Sequence, residues 1–237
     1  MKTHLKAIPL ILLIFAFTNC KKQMINSVSR QPFPADSSYN TYLALGDSYT
    51  IGQSVPVTER FPIQAKNFLQ MAGKKMAEPE IIATTGWTTT DLKNAIMARS
   101  PSGPYHLVSL LIGVNDQYQF HDTTGYRQRF TGLLSTAIQL AGNKPSHVFV
   151  LSIPDYSVTP FAASSDTAQI RKEIDQFNAI NKEVTAGYNC NYLDITPSTR
   201  EAKNDLSLLA SDGLHPSGKE YKKWAERLAQ IMKPVLQ

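Results

Sequence analysis

Five short apolar runs, each followed by small or polar residues, divide the chain after about residue 40. Continuous apolar runs of this length are typical of strands buried on both faces of a parallel sheet. The pattern therefore predicts five parallel strands. The runs are YLALG at 42–46, EIIAT at 80–84, LVSLLIG at 107–113, HVFVLS at 147–152 and NYLDI at 191–195.

Stretches with apolar residues at helical spacing lie between and after these runs. Residues 61–72, 126–140 and 170–184 each place apolar side chains on one face, and Pro216 precedes a final helix expected at about 217–232. Alternating strands and helices predict an α/β fold, a three-layer α/β/α sandwich on a five-stranded parallel sheet. In such an open sheet, ligands bind in the crevice at the carboxyl ends of the strands.

The N-terminal segment differs from the rest of the chain. Lys2 and Lys6 precede an apolar run at 8–17 that is too short to cross a bilayer comfortably, which is typical of a secretory signal. Cys20 follows, at a place that resembles the lipidation site of a bacterial lipoprotein; an ordinary secretory signal or an uncleaved anchor is the alternative. We therefore expect a signal peptide at 1–20 with Cys20 lipidated, a flexible tether at 21–38 and one folded domain at 39–237. That domain is expected to be exported and held at the cell envelope by the lipid.

Composition excludes some classes of protein. Hydrophobic residues make up 42% of the chain and charged residues 18%, which excludes a wholly disordered chain. The net charge of +5 includes four lysines at or before the start of the folded part, and no dense basic run with interleaved aromatics argues for nucleic-acid binding. Cys190 is the only other cysteine, and we expect it to be a small core residue without a disulfide.

Two polar clusters contain the groups needed for nucleophilic catalysis. Gly46-Asp47-Ser48 follows the first strand, where a serine hydroxyl is a nucleophile only if a base takes its proton. Asp212-Gly213-Leu214-His215 precedes the final helix, and its spacing lets the carboxylate bind one imidazole nitrogen while the other accepts the proton from Ser48. The alternatives are a turn or helix cap at Ser48 and a capped loop in which Asp212 binds only backbone N–H groups.

Donors for a developing oxyanion follow the second and third strands. The amide of Asn115, in Gly113-Val114-Asn115-Asp116, can donate to an acyl oxygen under attack, and the backbone N–H groups of Gly86 and Ser48 can donate to the same atom. As alternatives, Gly86 is a plain turn glycine and Asn115 a helix cap.

Together, these blocks resemble, in order, those of the SGNH hydrolases, also called GDSL-type lipases and esterases, over about residues 42–228. The resemblance implies a flavodoxin-like α/β/α fold without a metal or an organic cofactor. It implies that Ser48 is the nucleophile, His215 the general base and Asp212 its orienting partner. The implied oxyanion hole consists of Ser48, Gly86 and Asn115.

The expected function is therefore hydrolysis of carboxylic esters through an acyl-enzyme, with small acyl groups favoured because the loops between the blocks are short and no large apolar lid is evident. Carbohydrate O-deacetylase, lysophospholipase or thioesterase activity stays open, as does a catalytically silent surface lipoprotein that binds a glycan. We expect a monomer that acts on a small-molecule, glycan or lipid ester and touches the membrane only through its lipid.

The loops expected to flank the crevice include residues 117–120 and 153–161. Residues that could line the substrate site, or instead form part of its hydrophobic support, are Trp87, Tyr118, Asp155, Tyr156 and Phe161.

Overall fold

The computed structural model describes residues 38–236. The predicted signal peptide, the predicted lipidation site at Cys20 and nearly all of the predicted tether lie outside the described residues. Among the helices of residues 38–236, none is long and apolar enough to span a bilayer.

A parallel sheet forms the centre of the described part, which contains five strands in the order β2-β1-β3-β4-β5. Every residue of β1, β3 and β4 is buried, as expected for a sheet covered on both faces. Gly46, the last residue of β1, pairs with Ala83 of β2 and Leu111 of β3, so three strands end side by side. The strands are β1 (Tyr42–Gly46), β2 (Glu80–Ala83), β3 (Leu107–Leu111), β4 (Val148–Leu151) and β5 (Asn191–Leu193).

Two groups of helices pack around the sheet, so the predicted α/β/α architecture is confirmed. One group pairs α2 with α8, and in the other α5 contacts both α3 and α6. The final helix, α8, buries Tyr221 and Trp224 and is capped by Ser217. The helices are α1 (Ser48–Ile51), α2 (Phe61–Met71), α3 (Thr89–Arg99), α4 (Val114–Phe120), α5 (Tyr126–Leu140), α6 (Thr167–Gly187), α7 (Thr196–Thr199) and α8 (Gly218–Met232).

Two helices near the crevice were not predicted. Helix α3 begins with a capping box between Thr88 and Asp91, but few of its apolar residues are buried, so its periodicity is weak. Helix α4 is short, and it contains residues 117–120, which the sequence had suggested as a loop. It begins directly after Gly113, whose φ of +127° lets the chain turn from β3 into the helix.

Cys190 lies just before β5 and is only partly buried, where it packs against the core. Its thiol is free in the described part of the chain, and burial raises its pKa to about 11. It is therefore a weakly reactive thiol rather than a fully buried core residue.

Candidate active site

Ser48 is the first residue of α1, directly beyond the carboxyl end of β1, and only 4% of its surface is exposed. The preceding residue, Asp47, is buried and accepts a hydrogen bond from the backbone N–H of Tyr49 at 3.0 Å. Helix α1 ends after one turn, where the N–H of Gly52 donates to the carbonyl of Ser48. Ser48 is thus held in a tight turn at the edge where the crevice was expected.

Asp212 and His215 form a hydrogen-bonded pair. Oδ2 of Asp212 lies 2.7 Å from Nδ1 of His215, and Oδ1 accepts the backbone N–H groups of Leu214 at 3.0 Å and His215 at 2.9 Å. A further hydrogen bond, 2.6 Å long, comes from the hydroxyl of Ser54 to Oδ2. Partial burial alone would raise the pKa of Asp212, but the hydrogen bonds from Ser54, His215 and Leu214 lower it to about 2. An ionised carboxylate only accepts, so Nδ1 carries a proton and Nε2 is left to accept one.

The imidazole of His215 packs against the phenol of Tyr49, with ring centroids 5.0 Å apart. Its side chain is only 8% exposed, and it lines the same pocket as Ser48. Burial, followed by the nearby charge of Asp47, raises the pKa of Tyr49 well above its usual value, so this phenol stays neutral. The structure therefore brings the serine, the histidine and the aspartate to one place, from segments more than 150 positions apart in the sequence.

Gly86 and Asn115, the other predicted oxyanion donors, line this pocket as well. Asn115 lies in the first turn of α4, and its Nδ2 donates to the carbonyl of Trp87 at 3.0 Å. An amide has two hydrogens, so one remains for a ligand. Gly86 has a φ of +84°, and at Gly113 any side chain would collide with the hydroxyl of Tyr126. Both glycines are therefore required by the backbone that presents these donors.

The pocket itself has a volume of about 120 Å³. An aromatic cluster of Tyr118, Tyr156 and Phe161 forms part of its lining. The ring centroids lie 6.1 Å apart for Tyr118 with either neighbour and 6.2 Å apart for Tyr156 with Phe161. Tyr156 is almost fully buried, whereas about half of Tyr118 and of Phe161 is exposed. The cluster thus has a fixed base and two faces accessible to a ligand.

Trp87 and Asp155, also suggested as lining residues, are not among the residues that line this pocket. The indole of Trp87 packs against the hydrophobic core, and its carbonyl holds Asn115. The carboxylate of Asp155 is fully buried and bound by Arg200 at 2.7 Å and Arg171 at 3.4 Å. A buried carboxylate needs such partners, so Asp155 is held by the two arginines rather than available to a ligand in this pocket.

Another buried carboxylate, Asp116, lies beside Asn115. It accepts the backbone N–H of Thr89 at 2.8 Å and the hydroxyl of Thr89 at 2.6 Å, and Arg129 lies 3.2 Å away. These contacts join α4 to α3 and α5 at the edge of the pocket. Within residues 38–236, no group of three His, Cys, Asp or Glu side chains is placed to hold a metal ion.

The hydrogen bond between Ser54 and Asp212 was not predicted from the sequence. Ser54 lies in a polar turn, at a left-handed φ of +66°, and meets Asp212 from 158 positions away. No motif contains it, and a serine gives no signal of a positive φ in the way that glycine or asparagine does.

A family model of the GDSL-like lipase/acylhydrolase family matches residues 44–223 of this chain. This range begins at β1 and ends in α8, so it includes every block of the site described above. A comparison with curated protein sequences finds no significant match.

Solved structures share the fold. A lipase/acylhydrolase from Enterococcus faecalis is 20% identical, with 84% of this chain and 97% of that chain covered and a TM-score of 0.58. An acetylxylan esterase from Geobacillus stearothermophilus is 19% identical, with 82% and 94% covered and a TM-score of 0.60. A lipase from a goat rumen metagenome is 19% identical, with 81% and 97% covered and a TM-score of 0.63. With the family match over most of its length, this chain belongs to the GDSL-like lipase/acylhydrolase family, the SGNH hydrolases, and is a carboxylic ester hydrolase.

Proposed function

We propose that the protein hydrolyses esters of small acyl groups, with Ser48 as nucleophile, His215 as general base and Asp212 as its orienting partner. The observation that carries the proposal is the common pocket of Ser48, His215 and Asn115, with Asp212 bound to the far side of the imidazole. Serine hydroxyls become nucleophilic when a base is positioned to take their proton.

In the first half-reaction, Oγ of Ser48 bonds to the ester carbonyl carbon while Nε2 of His215 takes the hydroxyl proton. The ionised Asp212 stabilises the imidazolium that forms. The carbonyl oxygen becomes negative and accepts hydrogen bonds from the Asn115 amide and from the backbone N–H groups of Ser48 and Gly86. The tetrahedral intermediate then breaks the ester bond, and the departing alkoxide receives its proton from His215.

Water completes the cycle by the reverse sequence. It gives a proton to His215 as its oxygen bonds to the acyl carbon, and the same donors hold the second oxyanion. When the bond to Oγ breaks, His215 returns the proton to Ser48 and the carboxylic acid is released.

The size of the pocket supports a small acyl group. Its volume of about 120 Å³ is well below the roughly 300–1,000 Å³ of pockets that bury drug-sized ligands. Val114 and Leu214 add apolar lining beside the catalytic residues. A short acyl chain would fill this space, whereas a long one would extend into solvent.

A second candidate function is removal of acetyl groups from carbohydrate. The half-exposed rings of Tyr118 and Phe161 favour it, since flat apolar aromatic faces suit the apolar face of a sugar ring. The acetylxylan esterase among the similar structures is consistent with this second candidate function.

Labelling with a fluorophosphonate followed by intact-mass measurement tests the catalytic assignment. The full-length protein should gain one adduct, and Ser48→Ala and His215→Ala should gain none, because the reagent needs an activated serine. The matched control is Ser207→Ala, which removes a serine that donates to Asp205 outside the pocket and should label normally. An unlabelled but folded parent protein would instead favour the catalytically silent glycan-binding lipoprotein.

We also propose that the protein is exported and lipid-anchored through Cys20, from the apolar run and the lysines that precede that cysteine. Metabolic labelling with an alkyne fatty acid in a bacterial host should mark the parent protein and leave Cys20→Ala unmarked. Equal labelling of the two proteins would exclude lipid attachment at Cys20.

A further inference from the structure

The carboxylate oxygen that holds the imidazole has a second side-chain partner. Oδ2 of Asp212 lies 2.6 Å from Oγ of Ser54 and 2.7 Å from Nδ1 of His215. The ionised carboxylate has no hydrogen to give, so the Ser54 hydroxyl is the donor. A hydrogen bond to a charged acceptor is among the stronger ones in proteins.

The turn that presents Ser54 is attached to the nucleophile. The N–H of Gln53 donates to the carbonyl of Ser48 at 3.0 Å, and the N–H of Val55 donates to the carbonyl of Gly52 at 3.3 Å. Ser54 itself has a φ of +66°, which non-glycine residues adopt infrequently and at an energetic cost. The surrounding hydrogen bonds hold the backbone in this conformation, so the position from which the Ser54 side chain extends is fixed.

The same turn also reaches the loop that contains Gly86. The hydroxyl of Thr85 donates to Oε1 of Gln53 at 2.7 Å. The turn at 52–55 therefore contacts three separate parts of the site: the helix of Ser48, the Gly86 loop and the Asp212 carboxylate.

We propose that Ser54 is a positioning residue for the reaction, whose hydroxyl fixes the Asp212 carboxylate and so couples the turn of the nucleophile to the acid–base pair. This inference rests on the catalytic roles proposed above for Ser48, His215 and Asp212. Ser54 is not among the residues that line the substrate pocket, so its effect is on turnover rather than on substrate binding.

Access of water to the Asp212 carboxylate limits how much the loss of the Ser54 hydroxyl can lower turnover. The Asp212 side chain is 28% exposed, so a water molecule can reach the carboxylate when the hydroxyl is removed, but it brings no fixed orientation. We therefore expect loss of Ser54 to lower kcat about five- to tenfold, with KM nearly unchanged.

The pH dependence of kcat/KM distinguishes this positioning role from a purely structural one, because loss of a purely structural contact would leave that dependence unchanged. With the Ser54 donor gone, Oδ2 of Asp212 carries more charge against the imidazole, which then holds its proton to higher pH. The acidic limb of the kcat/KM profile should therefore move to higher pH, since activity needs the unprotonated base. Tyr49 and Tyr221, the ionisable groups that interact electrostatically with Asp212, are the same in parent and variant.

The test compares the full-length parent with Ser54→Ala and Ser54→Gly on p-nitrophenyl acetate across pH. Glycine also lacks the hydroxyl but accepts the positive φ, so it carries the test if the alanine variant fails to fold. The matched control, Ser207→Ala, removes a hydroxyl that donates to Asp205 at 2.5 Å and should behave as the parent. A fall in kcat with a displaced acidic limb in the Ser54 variants supports the proposal.

Parent-like kcat, or a lower kcat with an unmoved pH profile, overturns the role of Ser54. An Asp212→Asn variant separates this failure from that of the proposed function. If Asp212→Asn is nearly inactive while Ser54→Ala is normal, only the inference about Ser54 is wrong. If Asp212→Asn retains parent activity, the catalytic assignment itself is wrong and the role of Ser54 falls with it.

Discussion

The side-chain amide of Asn115 lies 3.0 Å from the carbonyl oxygen of Trp87. This contact joins helix α4 to the turn after β2, where Trp87 N–H bonds back to the carbonyl of Thr84 and where Gly86 lies. Two of the proposed oxyanion donors, the Asn115 amide and the Gly86 N–H, are therefore held relative to each other by this hydrogen bond and by a longer one, at 3.4 Å, from Nε2 of Gln119 to the carbonyl of Gly86. Preorganised donors of this kind stabilise charge without reorganising during the reaction.

Asn115→Ala should lower kcat by about 10²–10³-fold, the loss typical for one oxyanion donor. KM should change little, because the donor acts mainly on the charge that develops in the transition state. Steady-state kinetics on p-nitrophenyl acetate measure both constants. Phe120→Ala, an exposed residue at the end of the same helix that does not line the pocket, serves as the control and should keep parent kinetics. A folded Asn115→Ala protein with parent kcat would remove Asn115 from the mechanism.

Asp116→Ala should destabilise the protein by about 3 kcal/mol, because it leaves Thr89 without its acceptor and Arg129 without its buried partner. Urea unfolding measures the free energy of unfolding. Glu183→Ala breaks an exposed pair with Arg127 on the same helix as Arg129, and it should change stability little. Equal effects of the two substitutions would contradict the assignment of Asp116 as a buried anchor.

The sheet and the family blocks could be predicted from the sequence because both are local signals. Buried parallel strands appear as continuous apolar runs, and the blocks at Ser48, Asn115 and His215 each combine chemistry with a strand end or helix start. The final helix was also predictable, since its buried residues recur at helical spacing and Ser217 caps it.

The rest depends on contacts between distant segments. Helix α3 buries too few apolar side chains to show a period, and α4 follows a glycine, Gly113, at which the hydroxyl of Tyr126 leaves no room for a side chain. Asp155 binds Arg171 of α6 and Arg200 instead of lining the pocket. This arrangement depends on where α6 and the segment around Arg200 pack, which the local sequence does not indicate. The hydrogen bond from Ser54 to Asp212 likewise exists only after the fold has formed.

Because Asp47 stays protonated in the folded protein over a range of pH, it should make the free energy of unfolding fall as pH rises through that range. Burial, together with the charge of Asp116, raises its pKa from 3.8 to about 8, so the folded chain retains a proton that the unfolded chain has lost between these values. In that window, the unfolded state binds fewer protons, and the free energy of unfolding falls by up to ~1.4 kcal/mol per pH unit from this group.

Asp47→Asn tests this linkage, because asparagine keeps an oxygen for the N–H of Tyr49 but does not ionise. The variant should gain stability relative to the parent as pH rises from 3.8 towards 8, measured by urea unfolding across the range. Identical pH slopes for parent and variant would show that Asp47 is ionised in the folded protein.

Phe161→Ala should separate sugar esters from simple esters. Phe161 is about half exposed and contacts Tyr118 and Tyr156, so its removal takes away one face of the aromatic cluster and leaves the catalytic groups in place. If that cluster stacks on a sugar ring, kcat/KM for an acetylated methyl xyloside should fall about tenfold, or ~1.4 kcal/mol, the value of one aromatic contact. Activity on ethyl acetate, which has no ring, should change much less.

Phe120→Ala provides the control, because Phe120 is equally exposed at the end of α4 but is not among the residues that line the pocket. It should leave both substrates unaffected. If Phe161→Ala lowers activity on the two esters equally, the aromatic cluster supports the catalytic residues rather than the alcohol part of the substrate. The carbohydrate hypothesis then loses the observation that favours it, while the proposed hydrolysis of small acyl esters by Ser48 keeps its own support, the pocket shared by Ser48, His215 and Asn115 and the hydrogen bond between His215 and Asp212.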